Sequence, residues 1–169
     1  MRIVVSDTSC MIDLRKAGLL NALFRLPYSF VMPDTLYEDE WLCLTDTEKS
    51  SLCALGLEVR SLPGPLVHRA SGYFNQHAKL KLNDCFALTL AQEIKDCILL
   101  TGDGPLRRIG ESKKIEVRGV IWVIDELEIH EIMPAADLRT ALQLLYDDDL
   151  VFLPSQEILR RIRRLSRLL

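Results

Sequence analysis

Three short apolar segments, separated by helical stretches, restrict this chain to an α/β fold built on a buried sheet. The segments cover residues 3–5, 28–32 and 97–100. The last of them is apolar without interruption up to Thr101, which is typical of parallel strands that are covered on both faces. Because strands alternate with helices along the chain, we predict a central parallel sheet with helices packed against it.

Turn and cap residues predict where the helices begin and end. Pro33 and Asp34 are expected to open a helix, because proline suits the first helical position and an acid suits the first turn. Predicted helices cover residues 10–24 with a break at Gly18, 35–44, 46–55, 66–77, 84–94, 106–111, 120–127, 135–146 and 155–168; further short strands cover 57–62 and 115–117. We expect one domain over residues 1–169, with an α/β core to about residue 125 and a helical extension over about 126–169.

The composition excludes several classes of protein. Hydrophobic residues make up 49% of the chain and charged residues 27%, which is typical of a globular domain and excludes disorder. No apolar run reaches the length of a membrane span, and no secretion signal is recognisable, so we expect a cytoplasmic protein without a membrane partner. The five cysteines lack a CxxC pair and histidines at ligand spacing, which argues against zinc sites and disulfides.

Four acidic residues are candidates for a site at the carboxyl ends of the strands, where open parallel sheets bind ligands. Asp7 directly follows the first strand, and Asp103 follows the 97–101 segment after one glycine. Glu38 lies one turn into the helix after the second strand. Asp84 lies in the first turn of a helix that could start at either edge of the sheet, so its placement is left open.

Each of these acids alone is more simply interpreted as a helix cap, because the helix dipole favours acids in first turns. Four carboxylates at one edge are different, since like charges resist being ionised together unless a cation lies between them. Oxygen ligands without histidine or cysteine suit a hard divalent ion such as Mg²⁺ or Mn²⁺. A metal ion held in this way can activate water for attack on a phosphodiester.

The four segments that carry these acids resemble the PIN-domain nucleases. They are Val4-Val5-Ser6-Asp7-Thr8-Ser9, Val31-Met32-Pro33-Asp34-Thr35-Leu36-Tyr37-Glu38, Leu82-Asn83-Asp84 and Leu99-Leu100-Thr101-Gly102-Asp103. The resemblance covers about residues 1–125, and the stretch from Val117 to Leu127 and the helices after it are similar to toxins of the VapC type and their orphan prokaryotic relatives. It implies a Rossmann-like three-layer α/β/α sandwich and metal-dependent cleavage of single-stranded RNA.

The resemblance also implies roles for individual residues. Asp7, Glu38, Asp84 and Asp103 are expected to bind Mg²⁺ or Mn²⁺ and to be catalytic, with Thr8, Ser9 and Thr101 as supporting hydroxyls. Some members carry a further acid after the last one, whereas Gly104-Pro105-Leu106 has none here, so the resemblance does not extend to a second set of metal ligands. Glu40 is a rival for Glu38, but it lies about 200° further around the helix, so both cannot face one ion.

Arginines are the candidates for contacts with the substrate backbone. Residues 151–169 carry a net charge of +4, against −7 for residues 1–150. Ile158, Ile162, Leu165 and Leu169 are spaced to form one packed face of a terminal helix, which leaves its arginines in solvent. We expect RNA phosphates to contact Arg107, Arg108, Arg160 and Arg164. A solvated charge run and a docking site for a partner protein remain alternatives for the terminal helix.

Three classes of function are compatible with the chain before its structure is considered. The first is a ribonuclease of the PIN type, acting in RNA processing or as a toxin whose partners include a small antitoxin protein; a homodimer is compatible with it. The second is an inactive module of the same fold that binds nucleic acid or protein. The third is a phospho-acceptor receiver domain, which is disfavoured because only one acid, Asp7, follows the first strand and Lys113-Lys114 precede the last strand.

Overall fold

The computed structural model describes residues 1–39 and 44–168. Within these ranges the strands are β1 (Arg2–Ser6), β2 (Tyr28–Pro33), β3 (Glu58–Arg60), β4 (Ile98–Leu100) and β5 (Glu116–Arg118). The helices are α1 (Thr8–Lys16), α2 (Leu20–Leu23), α3 (Asp34–Asp39), α4 (Asp46–Leu55), α5 (Gly64–Gln76), α6 (Leu82–Glu93), α7 (Gly104–Ser112), α8 (Val120–Ile129), α9 (Ala135–Asp147) and α10 (Ser155–Ser166).

The strands form one parallel sheet in the order β3-β2-β1-β4-β5. The predicted fold class is therefore confirmed. The chain moves outward from β1 to β3 and then crosses to β4 on the other side of β1, so the order reverses between β1 and β4. Ligands of open α/β sheets bind outside the carboxyl ends of the strands at such a reversal. Receiver domains belong to the doubly wound folds with the order 2-1-3-4-5, so this topology excludes that alternative.

Helices cover both faces of the sheet. On one face α6 packs against β1, β2 and β4 and is itself covered by α5. Seven consecutive residues of α6, from Cys85 to Ala91, are buried, because the helix lies between the sheet and a second helix. On the other face α1 packs against α8 and α9, and α10 packs against α9. The connection from β1 to β2 runs toward one edge of the sheet, and the connection from β3 to β4 runs toward the other edge. Because such connections are right-handed, their helices lie on opposite faces of the sheet.

Two predicted boundaries differ from the structure. Pro33 was expected at the start of a helix but is the last residue of β2, paired with Arg60, and α3 begins at Asp34. A proline is tolerated where the ladder ends, since no further backbone N–H is required there. The helix predicted over residues 66–77 begins two residues earlier, at Gly64, because the first turn of α5 needs no N–H from Pro65.

Most predicted elements are confirmed, including the break at Gly18 and the end of α4 at Gly56, which has φ +119°. The helix predicted over residues 35–44 is present as far as Asp39; residues 40–43 lie outside the described ranges. In α10, Ile158 and Leu165 are buried as predicted. None of the helices within the described ranges has both the length and the apolar character that crossing a bilayer requires.

Candidate metal and nucleic-acid site

The pairing of β1 with β4 brings two acidic loops side by side. Val5 pairs with Leu99 and Ser6 with Leu100, so Asp7 and Thr101 both lie one residue beyond the sheet. The Asp7 N–H donates to the Leu100 carbonyl at 2.9 Å and continues the ladder into the loop. The register of two central strands therefore positions the first candidate acid.

Asp7 is almost completely buried, with 5% of its surface exposed, and neighbouring donors hold its carboxylate in place. The Ser9 N–H donates to Oδ1, and the Ser9 hydroxyl donates to Oδ2 at 3.0 Å. The Thr101 hydroxyl also donates to Oδ2. A buried carboxylate is stable only when it is paired or hydrogen-bonded, and here the donors come from both loops.

The same two hydroxyls connect Asp7 to the loop after β4. The Gly102 N–H donates to the Ser9 hydroxyl at 3.1 Å, and the Asp103 N–H donates to the Thr101 hydroxyl at 3.0 Å. A Cβ at position 102 would lie 3.2 Å from the Ser9 Oγ, so glycine permits this close approach. Ser9 and Thr101, predicted as supporting residues, are thus placed between the two acidic loops.

Three of the four candidate acids line one cavity. Asp103 caps α7, with its Oδ1 accepting from the Leu106 N–H at 2.7 Å. Asp84, in the first turn of α6, accepts from the Lys81 N–H at 2.7 Å. The cavity has a volume of about 360 Å³ and is lined by Asp7, Thr8, Ser9, Ile12, Lys81, Asp84 and Asp103. The edge at which the Asp84 helix begins, left open by the sequence, is therefore the same edge as that of Asp7.

The Thr8 hydroxyl is the unusual polar group of this cavity. Thr8 is 2% exposed, and its Oγ1 has no hydrogen-bond partner among the described residues. Burying an unpaired hydroxyl is costly, and such a group in a native fold calls for a partner. Thr8 lines the cavity, but its Oγ1 has almost no accessible surface, so a ligand in the cavity would reach it only after the side chain rotates.

Lys81 is a residue of this cavity that sequence reasoning missed. It immediately precedes α6, and it is the cation in a wall that also holds three acids. Its position in the sequence, three residues before the candidate acid Asp84, could have indicated that it lies near the site. A cation between the acids reduces their mutual repulsion and attracts a phosphate.

No preformed metal cluster is present in the part of the chain that the structure describes, where no three His, Cys, Asp or Glu side chains are close enough together to hold an ion. Asp84 and Asp103 instead accept hydrogen bonds from their own helix starts, and Asp7 from Ser9 and Thr101. The groups around the cavity nonetheless carry oxygen atoms, which are the ligands that a hard divalent cation prefers. A shared ion therefore requires these side chains to move toward one another.

Glu38 does not line the cavity. It lies exposed near the end of α3, a helix that packs against β2 and α6. Its neighbour Tyr37 has its pKa raised to about 12, first by burial, then by the Cys53 thiol and by the charge of Glu38. The rival residue, Glu40, lies outside the described residues.

Cys10 is the nucleophilic side chain nearest to Asp7 along α1. Burial raises the pKa of its thiol well above the ordinary value, and the charges of Asp7 and Asp13 raise it further. The pKa of Asp13 is itself raised, first by burial and then by the carboxylates of Asp148 and Asp7, although Lys16 opposes this. A buried thiol held neutral in this way is a poor nucleophile, and Cys10 does not line the cavity.

The structure divides the predicted backbone-contacting arginines into two groups. Arg107 donates to the carbonyls of Thr101 at 3.2 Å and Val117 at 3.4 Å, so it joins β4 to β5. Arg108 is exposed, and its Nη1 would lie 3.4 Å from a Cβ at Gly104, which places the guanidinium beside the start of α7. Of the two, Arg108 is the better placed to reach a substrate near Asp103.

The expectation that all arginines of the terminal helix stay solvated is wrong. Arg164 pairs with Glu128, and Arg160 pairs with Glu157 at 2.7 Å. Arg161 is only 14% exposed and forms two hydrogen bonds with Asp125, at 2.7 and 2.6 Å. Asp125 and Glu128 of α8 hold Arg161 and Arg164, which the pattern of α10 alone does not reveal, whereas Arg160 pairs within α10 and stays exposed.

Comparison with known proteins identifies the family. No matching relative was found among curated proteins. A protein-family model described as DUF3368, a PIN domain, matches residues 3–167, which is almost the whole chain. The match covers the strands of the sheet, the three acids around the cavity and the terminal helices. The chain therefore belongs to the PIN-domain family.

Proposed function

We propose that this protein is a metal-dependent ribonuclease that hydrolyses phosphodiester bonds of single-stranded RNA. The observation that carries the proposal is the cavity at the reversal of strand order, which Asp7, Asp84 and Asp103 line together. The lining of the site has carboxylate and hydroxyl oxygens and a lysine, and no thiol is among its described residues. Such a donor set is suited to binding a cation and a phosphate together.

Asp7, Asp84 and Asp103 are the residues that we expect to hold Mg²⁺ or Mn²⁺. The three carboxylates and the Ser9 hydroxyl in one cavity lining are oxygen ligands of the kind that such an ion prefers. A divalent ion bound there supplies an activated water and neutralises the charge that develops on the phosphate. Hydrolysis adds that water across the P–O bond, and the departing oxygen gains a proton.

The residues of the chain prepare the site for this reaction. Thr101 and Ser9 hold the Asp7 carboxylate in one orientation, which reduces the reorganisation needed when an ion binds. Lys81 and Arg108 attract the phosphate backbone through their positive charge. In this proposal Glu38 is an accessory acid, since α3 packs against α6 but the side chain does not line the cavity.

The proposal is tested with the Asp7→Asn variant. We expect wild-type protein to cleave a single-stranded RNA in Mg²⁺ or Mn²⁺, and EDTA to abolish cleavage. Asp7→Asn should lose cleavage, by at least about 100-fold, because a direct metal ligand matters more than the outer partners worth about 10- to 100-fold. The matched control is Asp149→Asn, an exposed acid away from the cavity, which should cleave normally.

Two results would contradict the proposal. Cleavage that survives both EDTA and Asp7→Asn would show that the activity comes from another site or a contaminant. RNA binding without cleavage, under all metal conditions, would instead identify the chain as an inactive binding module of the same family. Circular dichroism and thermal unfolding of Asp7→Asn establish that its fold is retained.

We further propose that the protein is a toxin of the VapC type and that RNA cleavage is its toxic activity. The support is the similarity of the segment from Val117 to Leu127, which forms β5 and α8, together with the family match. A toxin of this kind requires a small antitoxin protein as its partner. The test is whether a small DNA-binding protein encoded beside this chain forms a complex with it and blocks RNA cleavage; a neighbour that does neither argues for RNA processing instead.

A further inference from the structure

A second cavity adjoins the acidic site and shares a loop with it. Its volume is about 320 Å³, within the range of ligand pockets. It is lined by Thr101, Gly102, Arg107, Gly119, Val120, Ile121, Trp122, Phe152, Leu153 and Pro154. Thr101 and Gly102 belong to the loop that carries Asp103, so a chain lying across the acidic site can continue into this cavity.

Two aromatic side chains give this second cavity its character. Phe152, in the connection between α9 and α10, is 89% exposed. Trp122, in the first turn of α8, is half-buried and held by Tyr28, with ring centroids 5.4 Å apart. The Tyr28 hydroxyl in turn donates to Glu126 at 2.7 Å. The cavity thus combines a fixed indole with an exposed phenyl ring.

The charge of the cavity fits a nucleotide. The charged side chain in its lining is Arg107, whose guanidinium is held by the carbonyls of Thr101 and Val117. Cations next to aromatic rings are the combination with which proteins bind single-stranded nucleic acid, with charge for the backbone and ring faces for the bases. The two carbonyls do not neutralise the guanidinium, and its acidic neighbour Glu111 lies 3.7 Å away. The cavity therefore keeps a positive charge that suits a phosphate-bearing ligand better than an apolar protein segment.

We propose that this cavity binds one unstacked base of the RNA, adjacent to the phosphate in the acidic site, and that Phe152 stacks on it. The inference rests on the proposed function, whose substrate it places along the sheet edge. Stacking on aromatic side chains is tolerant of sequence, because every base has a flat face. Phe152 is therefore a substrate-binding residue that contributes affinity for single-stranded RNA.

The experiment measures stacking directly and without cleavage. Short single-stranded RNAs carry the fluorescent base 2-aminopurine at successive positions and are titrated with protein in EDTA. Wild-type protein should quench one position more strongly than its neighbours. Phe152→Ala should remove that quenching and raise the Kd about 5- to 150-fold, whereas Phe152→Trp should preserve both.

Leu150→Ala is the matched control. Leu150 lies in the same connection and is 75% exposed, but it does not line the cavity. Both alanine variants remove mainly exposed surface, so both should unfold at the wild-type temperature. In Mg²⁺, Phe152→Ala should raise the KM for RNA cleavage with little change in kcat, and Leu150→Ala should leave both constants unchanged.

The outcomes separate this inference from the proposed function. If wild-type protein cleaves RNA and Phe152→Ala matches it in Kd, quenching and KM, the stacking proposal is overturned and the ribonuclease proposal stands. If wild-type protein shows position-specific quenching that Phe152→Ala removes, but no cleavage, the stacking proposal stands and the ribonuclease proposal is overturned. Absence of any RNA binding overturns both. If light scattering shows that only Phe152→Ala converts a dimer into a monomer, the surface is an interface between copies, and the stacking proposal is wrong.

Discussion

One hydroxyl group, that of Thr101, links the two loops that carry Asp7 and Asp103. It donates to the Asp7 carboxylate and accepts from the Asp103 N–H at 3.0 Å. Thr101 is fully buried, so water cannot replace either bond. The geometry of the candidate site therefore depends on a side chain that is not itself one of its acids.

Replacing Thr101 by valine should test this dependence. Valine has nearly the same shape, but it leaves the Asp103 N–H without its acceptor and the Asp7 Oδ2 without one of its two hydroxyl donors, at a cost of about 1–3 kcal/mol in the free energy of unfolding. RNA cleavage should fall together with the affinity for Mn²⁺. Urea unfolding and a Mn²⁺ titration measure the two effects.

Thr101→Ser is the control for that experiment, because it keeps the hydroxyl and removes a methyl group. It should retain most of the metal affinity even where it loses some stability. Equal losses of metal affinity in the serine and valine variants would show that packing, and not the hydrogen bonds, matters at this position.

At the scale of elements, α7 lies unusually close to the sheet. A Cβ at Gly110 would lie 2.9 Å from the Val117 Cγ2 and 3.2 Å from the Leu99 Cδ2. Both atoms belong to buried side chains of two neighbouring strands, β4 and β5, so neither side chain can move away freely. The absence of a side chain at Gly110 thus sets the distance between the helix and the sheet.

Gly110→Ala should therefore destabilise the protein by about 1–3 kcal/mol, the usual cost of overpacking a core. Gly72→Ala is the matched variant, since Gly72 also lies in a helix but has no atom within 4 Å of an added Cβ. That variant should gain about 0.5–1 kcal/mol, because alanine has the higher helix propensity. Urea unfolding of both variants measures the contrast, and a stabilised Gly110→Ala would show that α7 can move away from the sheet.

At the scale of the whole molecule, an ion-pair network joins the terminal helix to the α/β part. Arg161 of α10 bonds Asp125 of α8 through two nitrogens and also bonds Glu157 at 2.7 Å. These bonds raise the pKa of Arg161, the Asp125 bond most strongly. The hydrogen bond from Arg161 is the main cause of a lowered pKa at Glu157. The network anchors α10 against α8 in addition to the burial of Ile158 and Leu165.

Arg161→Met should lower the free energy of unfolding by about 1–3 kcal/mol at pH 7, because the Asp125 carboxylate loses a bidentate partner. Arg160→Met, at a side chain that is 70% exposed, should have little measurable effect. Arg161 also holds the pKa of Glu157 below its ordinary value, so the bond between them contributes stability above that ordinary pKa and loses it as the pH falls through the folded value. This part of the difference between wild type and Arg161→Met should therefore shrink below about pH 4, as urea unfolding across a pH series would show. A difference that is independent of pH would assign the loss to packing of the arginine stem.

The sequence alone was sufficient to predict the parallel α/β fold, most element boundaries and the family. These features depend on local information, since apolar runs, caps and breakers act over a few residues. Asp7 and Asp103 could be assigned to one edge for the same reason, because each directly follows a strand and all strands of a parallel sheet end on one side.

Only the tertiary structure determined which side chains line the two cavities and which are held in ion pairs. The start of α6 brings Asp84 and Lys81 into the cavity with Asp7, whereas Glu38 stays outside its lining. Arg161 bonds Asp125, 36 residues away in the chain, which the pattern of its own helix does not predict. Phe152 lies beside the loop that carries Asp103, because the connection between α9 and α10 returns to the edge of the sheet. Each of these placements depends on contacts between residues far apart in the chain, and such contacts leave no periodic pattern in a single sequence.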